Sequence, residues 1–195
     1  MLLVLLLAAV APARRDPRVE AVVQRIEPAA LQTTVAKLVG FGTRHTLSDT
    51  RSETRGIGAA RRWLAAQFAA AAQGTRLKTF EDRFTAEPGR RIPAPVELIN
   101  VGAVLPGTDP SRAKQAIVMT GHYDSMPSDV MDAQSDAPGA VDDASGTAMA
   151  LRLPSPGSSP RSPCTSWPWQ ARSRGWSDRP TSPGASSRRA WRCWR

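Results

Sequence analysis

Cysteine is nearly missing from this 195-residue sequence: Cys164 and Cys193 are the only two, both near the C-terminal end. A disulfide-stapled scaffold is thereby excluded for everything before Cys164. Histidine is equally scarce, with His45 and His122 alone. Long apolar runs are lacking too. The unbroken stretch Met1–Val10 is far short of the ~20 residues a bilayer-spanning helix needs, which excludes a polytopic membrane protein. Acidic residues are scarce in one region only. From Arg152 to Arg195 there is 1 Asp against 9 Arg, which leaves 17 basic and 16 acidic side chains for residues 1–151. The overall charge of +9 is therefore a property of the last quarter, and the rest is an ordinary near-neutral chain about one domain long.

What is present divides the chain in three. Met1–Val10 is followed by Ala11-Pro12-Ala13 and then Arg14-Arg15. A short apolar run ending in an A-x-A arrangement reads as a signal peptide over residues 1–13. Export to a periplasmic or extracellular space is expected, with an uncleaved signal anchor or a buried helix as the alternatives and no other membrane span. Residues 14–151 form the body. Residues 152–195 hold 10 Ser, 9 Arg, 7 Pro and 5 Trp, no Val, Ile, Met or Phe, and a single large aliphatic, Leu153. No helical or strand period can be built from that set, so a disordered tail is expected.

The tail has a second reading. Arg, Pro, Ser, Gly and Trp are what a G+C-rich gene yields in a wrong frame. When each codon is started at the third base of the preceding one, Cys164 to Arg179 permits His-Val-Val-Ala-Val-Ala-Gly-Glu-Glu-Gln-Gly-Leu-Val-Gly-Ser. The unique tryptophan codon makes the alanines after Trp167 and Trp169 certain. A strand-like apolar run, an acidic pair and a turn replace a patternless segment. The tail is thus read as frameshifted from near Leu151, and the body as truncated.

The body alternates between helical and extended patterns. Val19, Val22, Val23 and Ile26 share one face, and Leu31, Val35 and Leu38 continue it after Pro28, which predicts two helical pieces over Pro17–Val39. Thr50-x-x-Glu53 resembles a capping box and predicts a helix over Arg51–Gln73 with Ile57, Ala60, Leu64, Phe68 and Ala71 inward. Phe80–Phe84 reads as a strand and Pro88–Pro95 as a loop. Val96–Leu105 and Ala116–Thr120 read as neighbouring strands joined through Pro106-Gly107-Thr108-Asp109-Pro110. Thr147–Leu151 begins another helix.

The chemistry concentrates where the second of those strands ends. Gly121-His122-Tyr123-Asp124-Ser125 puts a histidine and a carboxylate two residues apart, on one side of an extended backbone. One can bind a metal while the other orients it. Twenty residues on, Pro138-Gly139-Ala140-Val141-Asp142-Asp143-Ala144-Ser145-Gly146 carries Asp142 at a helix entrance. His-x-Asp by itself is usually a hydrogen-bonded pair at a strand end. Combined with the second segment at this interval, it reads as a metal site. Asp129, Asp132, Asp136 and Asp143 read as a solvated acidic loop, and His45 as a structural histidine.

These two segments resemble those of the di-zinc aminopeptidases, the family of bacterial leucyl aminopeptidase and aminopeptidase Y. Glu97-Leu98-Ile99-Asn100-Val101 with Pro106-Gly107 is similar to that family's preceding strand. The resemblance covers roughly residues 40–151. It implies an α/β, three-layer αβα zinc-exopeptidase fold with a mixed sheet. It also implies two Zn2+ ions, with His122 a terminal ligand, Asp142 the shared carboxylate and Asp124 the partner that orients His122. Peptides would be the substrates, shortened from the N-terminus by a metal-bound hydroxide; a carboxypeptidase or glutaminyl cyclase chemistry would use the same fold. The family's Glu-Glu pair, which provides the general base and a further ligand, is absent from the chain as written, as are its later ligands. No catalytic base is retained, and an inactive product is expected. The contrasting reading is a non-catalytic exported protein whose Arg/Trp tail binds nucleic acid or anionic surfaces; the alternative frame argues against it, and no nucleic-acid partner is expected.

Overall fold

A computed structural model describes residues 16–152, Arg18 as backbone alone, and residues 164–169 as backbone. Two short helices come first, α1 (Pro17–Val23) and α2 (Pro28–Val39), divided at Pro28 as the sequence pattern requires. Proline in the first turn of α2 costs no hydrogen bond, because that N–H would have no partner in the helix. The apolar face of α2 is realised, with Leu38 fully buried, whereas Val19 and Val23 of α1 stand exposed.

The long helix α3 (Gly56–Ala72) begins later than the capping-box pattern suggests. Arg55 is the N-cap and makes no side-chain cap. Residues 49–55 form a separate turn: Asp49 Oδ1 accepts the N–H groups of Arg51 and Ser52, and the Arg62 guanidinium on α3 donates to the carbonyls of Thr50, Arg51 and Ser52. The carboxylate that organises this stretch is Asp49, ahead of the Thr50–Glu53 pair. The stripe Ile57, Ala60, Leu64 and Phe68 is buried as its spacing predicts.

Four strands form one mixed sheet: β1 (Lys78–Ala86), β2 (Val96–Leu105), β3 (Ile117–His122) and β4 (Cys164–Trp169), in the order β1-β2-β4-β3. β1 pairs antiparallel with β2, β2 antiparallel with β4, and β3 parallel with β4. Two expectations change here. β2 and β3 are not neighbours, because β4 lies between them. The tail is not without regular structure throughout, since Cys164–Trp169 occupies that central slot. β4 pairs with both neighbours over Cys164–Ser166 and with β3 alone over Trp167–Trp169, where Pro168 has no N–H to donate. The remainder of the tail and the signal peptide expected over residues 1–13 lie outside the described residues. Among the described residues no helix is long and apolar enough to cross a membrane.

β2 is buried almost end to end. Its odd-numbered side chains, Ile99, Val101, Ala103 and Leu105, join Leu38 of α2, Ile57, Leu64 and Phe68 of α3 and Leu151 of α4 (Ser145–Arg152) in one apolar cluster. The period of two along β2 and the period near 3.6 along α3 meet there. β3 is different: Ile117 and Val118 are exposed despite an apolar sequence typical of an inner strand. The sheet's role for the site is positional, delivering the C-terminal end of β3, and so His122, to the N-terminal end of α4.

Candidate metal centre

His122 is the last residue of β3, and its main chain is held on both sides. Its N–H donates to Asp143 Oδ2 at 3.1 Å, and its carbonyl accepts from Thr147 Oγ1 at 3.0 Å. Asp143 also caps the following helix by accepting the Gly146 N–H at 3.0 Å. One carboxylate thus ties the end of β3 to the start of α4. Asp143 belongs to the framework of the site, against the expectation of a solvated loop.

The imidazole is fixed by Asp124. Asp124 Oδ1 lies 3.0 Å from His122 Nδ1, and Asp124 is only 2 % exposed. A carboxylate only accepts, so Nδ1 donates to Asp124, which leaves Nε2 to face the opposite side of the ring. The Asp124 backbone carbonyl, 3.2 Å from Nδ1, is a second acceptor for the same proton. The other carboxylate oxygen of Asp124 accepts from Thr46 Oγ1 at 3.1 Å. Sequence spacing correctly paired His122 with Asp124; Thr46 carried no signal that would have placed it there.

Asp142 completes the arrangement. It sits in the tight turn Ala140–Ala144 that precedes α4, 66 % exposed, with Oδ1 2.9 Å from His122 Nε2. The turn begins at Gly139, whose φ of +45° is left-handed, and an added Cβ there would lie 2.7 Å from the Ser125 side chain. Glycine answers both demands. The peptide between Asp142 and Asp143 is cis.

A lone pair and a carboxylate oxygen facing each other at 2.9 Å need a cation between them, either a proton or a metal. One imidazole and one carboxylate, the imidazole oriented from behind by a second carboxylate, is a donor set that suits Zn2+. A hydrolytic zinc site typically takes about three protein ligands. Among the described residues no group of three or more His, Cys, Asp or Glu side chains is placed to hold an ion. What the described residues bring together is one pair of potential donors, His122 Nε2 and Asp142 Oδ1.

The other candidates resolve as structural. His45 is buried; its Nδ1 accepts the Leu47 N–H and its Nε2 donates to the Val130 carbonyl, both at 3.1 Å. Asp129 and Asp132 accept main-chain N–H groups of their own loop, and the turn at Gln134 and Ser135 holds the Asp132 carboxyl down at about 2. Asp136 pairs with Arg55 at 2.7 Å. The residue that sequence reasoning passed over is Arg44, next to His45. It is fully buried, and burial pulls its guanidinium down to about 10, opposed by the field of Asp124. At neutral pH it remains a cation inside the protein.

Residues 100–155 match the model of Peptidase family M28. A probable zinc metalloprotease of Leptosphaeria maculans is 45 % identical over 141 residues, covering 71 % of this chain and 32 % of that protein. One of Pyrenophora tritici-repentis is 47 % identical over 146 residues, covering 73 % and 29 %. The chain thus spans about a third of the length of these curated relatives. Among solved structures, the LapA aminopeptidase of Legionella pneumophila aligns with a TM-score of 0.55 at 20 % identity, over 88 % of this chain and 43 % of that one. A glutaminyl cyclase of Bacteroides thetaiotaomicron aligns with a TM-score of 0.57 at 17 % identity, over 85 % and 53 %. At such identities these two establish the fold alone. The family match, the metalloprotease relatives and the shared zinc-exopeptidase fold converge, and the chain carries the N-terminal part of a Peptidase family M28 domain.

Proposed function

We propose that His122 and Asp142 are zinc ligands of a metallopeptidase centre that removes N-terminal residues from peptides, and that Asp124 holds His122 in its ligating tautomer. The observation that carries this reading is the convergence of His122 Nε2 and Asp142 Oδ1 at 2.9 Å, with the far side of the imidazole already committed to Asp124. When bound, zinc supplies Lewis acidity toward the peptide carbonyl. The protein's own part is positional: Asp124 and Thr46 fix the ring, Asp143 and Thr147 fix the strand end beneath it, and Asp142 presents its carboxylate toward solvent. Peptide substrates follow from the family match and from the names of the relatives.

Zinc titration of the purified chain against a chromophoric chelator tests the assignment. His122→Ala and Asp142→Ala are each expected to weaken binding at least tenfold, since each removes one of the two described donors. Unchanged affinity in both variants would remove these residues from the ligand set. Asp124→Asn separates orientation from charge. It keeps the shape and an acceptor oxygen for Nδ1–H but loses the negative charge behind the ring, and a fall in zinc affinity of about tenfold is expected. Equal affinity would mean that the Asp124 backbone carbonyl alone suffices to orient His122.

The reading frame bears on the rest of the site. β4 runs parallel to β3 with Trp169 opposite His122. In the alternative frame the codons over Cys164–Trp169 permit an apolar, valine-rich run, the composition suited to a strand enclosed on both edges. The two glutamate codons follow after one glycine codon beyond Trp169, the β4 residue level with His122. We therefore read the gene as shifted in frame near Leu151, and the two missing functions, a further ligand and a general base, as residing in that pair.

A further inference from the structure

The two candidate ligands sit on segments that are distant in sequence, and one buried side chain touches both. Arg44 lies between α2 and α3, fully enclosed. Its Nε donates to the Tyr123 carbonyl at 2.7 Å, in the segment that carries His122. Nη1 donates to the Pro138 carbonyl at 3.0 Å and Nη2 to the Gly139 carbonyl at 3.1 Å, in the segment that leads to Asp142. Nη1 also reaches the Leu38 carbonyl at 2.7 Å, in the last turn of α2, where a cation is favoured. The main chain of Arg44 is locked to the first segment as well: its N–H donates to Ser125 Oγ at 3.0 Å, and its carbonyl accepts the Ser125 N–H at 3.1 Å. Two residues earlier, the Gly42 carbonyl accepts the Ala137 N–H at 3.0 Å.

We infer that Arg44 is a positioning residue: by spreading one planar guanidinium over carbonyls from three segments, it sets the spacing between the His122-bearing and Asp142-bearing turns. The inference rests on the reading of His122 and Asp142 as ligands, and it assigns Arg44 no contact with metal or substrate. Only arginine suits the place. Its rigid fork directs donors along several fixed axes, whereas a lysine ammonium presents three donors from one point and cannot reach the four carbonyls from one position. The fit is also steric, because a Cβ added at Gly139 would lie 3.0 Å from Nη2, so the turn closes directly onto the guanidinium.

The test uses the full 195-residue chain with Arg44→Lys, and with Ser125→Ala as a milder change that removes only the acceptor of the Arg44 N–H. Amide hydrogen exchange is followed without metal, and zinc affinity is measured separately on the folded population by chelator competition. Expected for Arg44→Lys is at least tenfold faster exchange at Ser125, Ala137 and Ala144, with unchanged protection around Leu64 in α3, and zinc binding at least tenfold weaker. Ser125→Ala should show the same local pattern to a smaller degree. Uniformly faster exchange across α3 with zinc affinity unchanged would reduce Arg44 to a general packing residue and overturn the inference, as would no change at the three amides. Should Arg44→Lys fail to fold, the exchange pattern and zinc affinity of Ser125→Ala decide between the same two outcomes. Failure of the wild-type chain to bind zinc would defeat the ligand assignment, while the exchange measurement would still decide whether Arg44 docks the two turns.

Discussion

Gly121→Ala should cost about 3 kcal/mol of folding stability, the upper part of the range for overpacking a closed interior. The reason is the nature of what the new methyl group meets. A Cβ at Gly121 would lie 2.5 Å from Thr147 N and 2.6 Å from the Gly146 carbonyl carbon, and both are main chain in the first turn of α4. Flexible side chains can rotate out of such a clash, but a helix backbone can only move as a body. Moving α4 away from β3 stretches the bonds that cross this junction, Thr147 Oγ1 to the His122 carbonyl and Asp143 to the His122 N–H. The penalty should therefore appear twice, as a fall in melting temperature of roughly 10 °C and as weaker zinc binding by the molecules that remain folded. Gly89→Ala is the matched control, because nothing lies within 4 Å of its added Cβ; its effect should stay within about 0.5 kcal/mol. Thermal unfolding followed by circular dichroism distinguishes the two. Equal melting temperatures for Gly121→Ala and Gly89→Ala would show that α4 is free to shift, and that the close approach is not needed for the fold.

Why some elements could be read from the sequence and others could not follows from what each depends on. Helix α3 and strand β2 are set by periodic burial, and Ile57, Leu64 and Phe68 lie where a 3.6-residue period puts them. The start of α3 was misjudged because a Thr-x-x-Glu pattern is local, whereas the observed start is organised by Asp49 from one side and Arg62 from the other. Sheet order is harder still. β2 and β3 follow one another along the chain, which suggests pairing, yet the slot between them is filled by residues more than 40 positions further on. Nothing local encodes such an insertion.

The site shows the same division. That His122, Asp124 and Asp142 would approach one another was legible, because both segments are short and continuous and their spacing turns the side chains the same way. Arg44, Thr46 and Asp143 were not, since each acts through main-chain groups or a single carboxylate oxygen brought close only by folding. A buried arginine whose guanidinium donates to four carbonyls has no distinguishing spacing. The Thr43-Arg44-His45-Thr46 stretch drew notice for its histidine, and its neighbours on either side proved to be the residues that touch the site.

A gene carrying the alternative frame from near codon 151 onward should yield a protein that hydrolyses an aminoacyl-p-nitroanilide in the presence of zinc about 10²–10⁴ times faster than the chain as written, the range that a positioned general base contributes. The expectation rests on position as well as composition. The sheet brings Trp169 level with His122 in a parallel pair, at the end where His122 Nε2 faces Asp142 Oδ1. In open α/β sheets that C-terminal end is where ligands collect. Two carboxylates there can add a ligand to the two described donors and accept a proton from the attacking water. Replacing the first glutamate of the restored pair by glutamine should remove the rate gain while leaving zinc affinity nearly unchanged; replacing the second should weaken zinc binding itself. The nucleotide sequence around codon 151 is the first check, because stop codons in the alternative frame, or codons other than glutamate at the two positions, would end the argument before any protein is made. Comparable turnover by the two proteins would place the catalytic base within the 195 residues as written, and would leave the valine-rich alternative reading of β4 without a functional consequence.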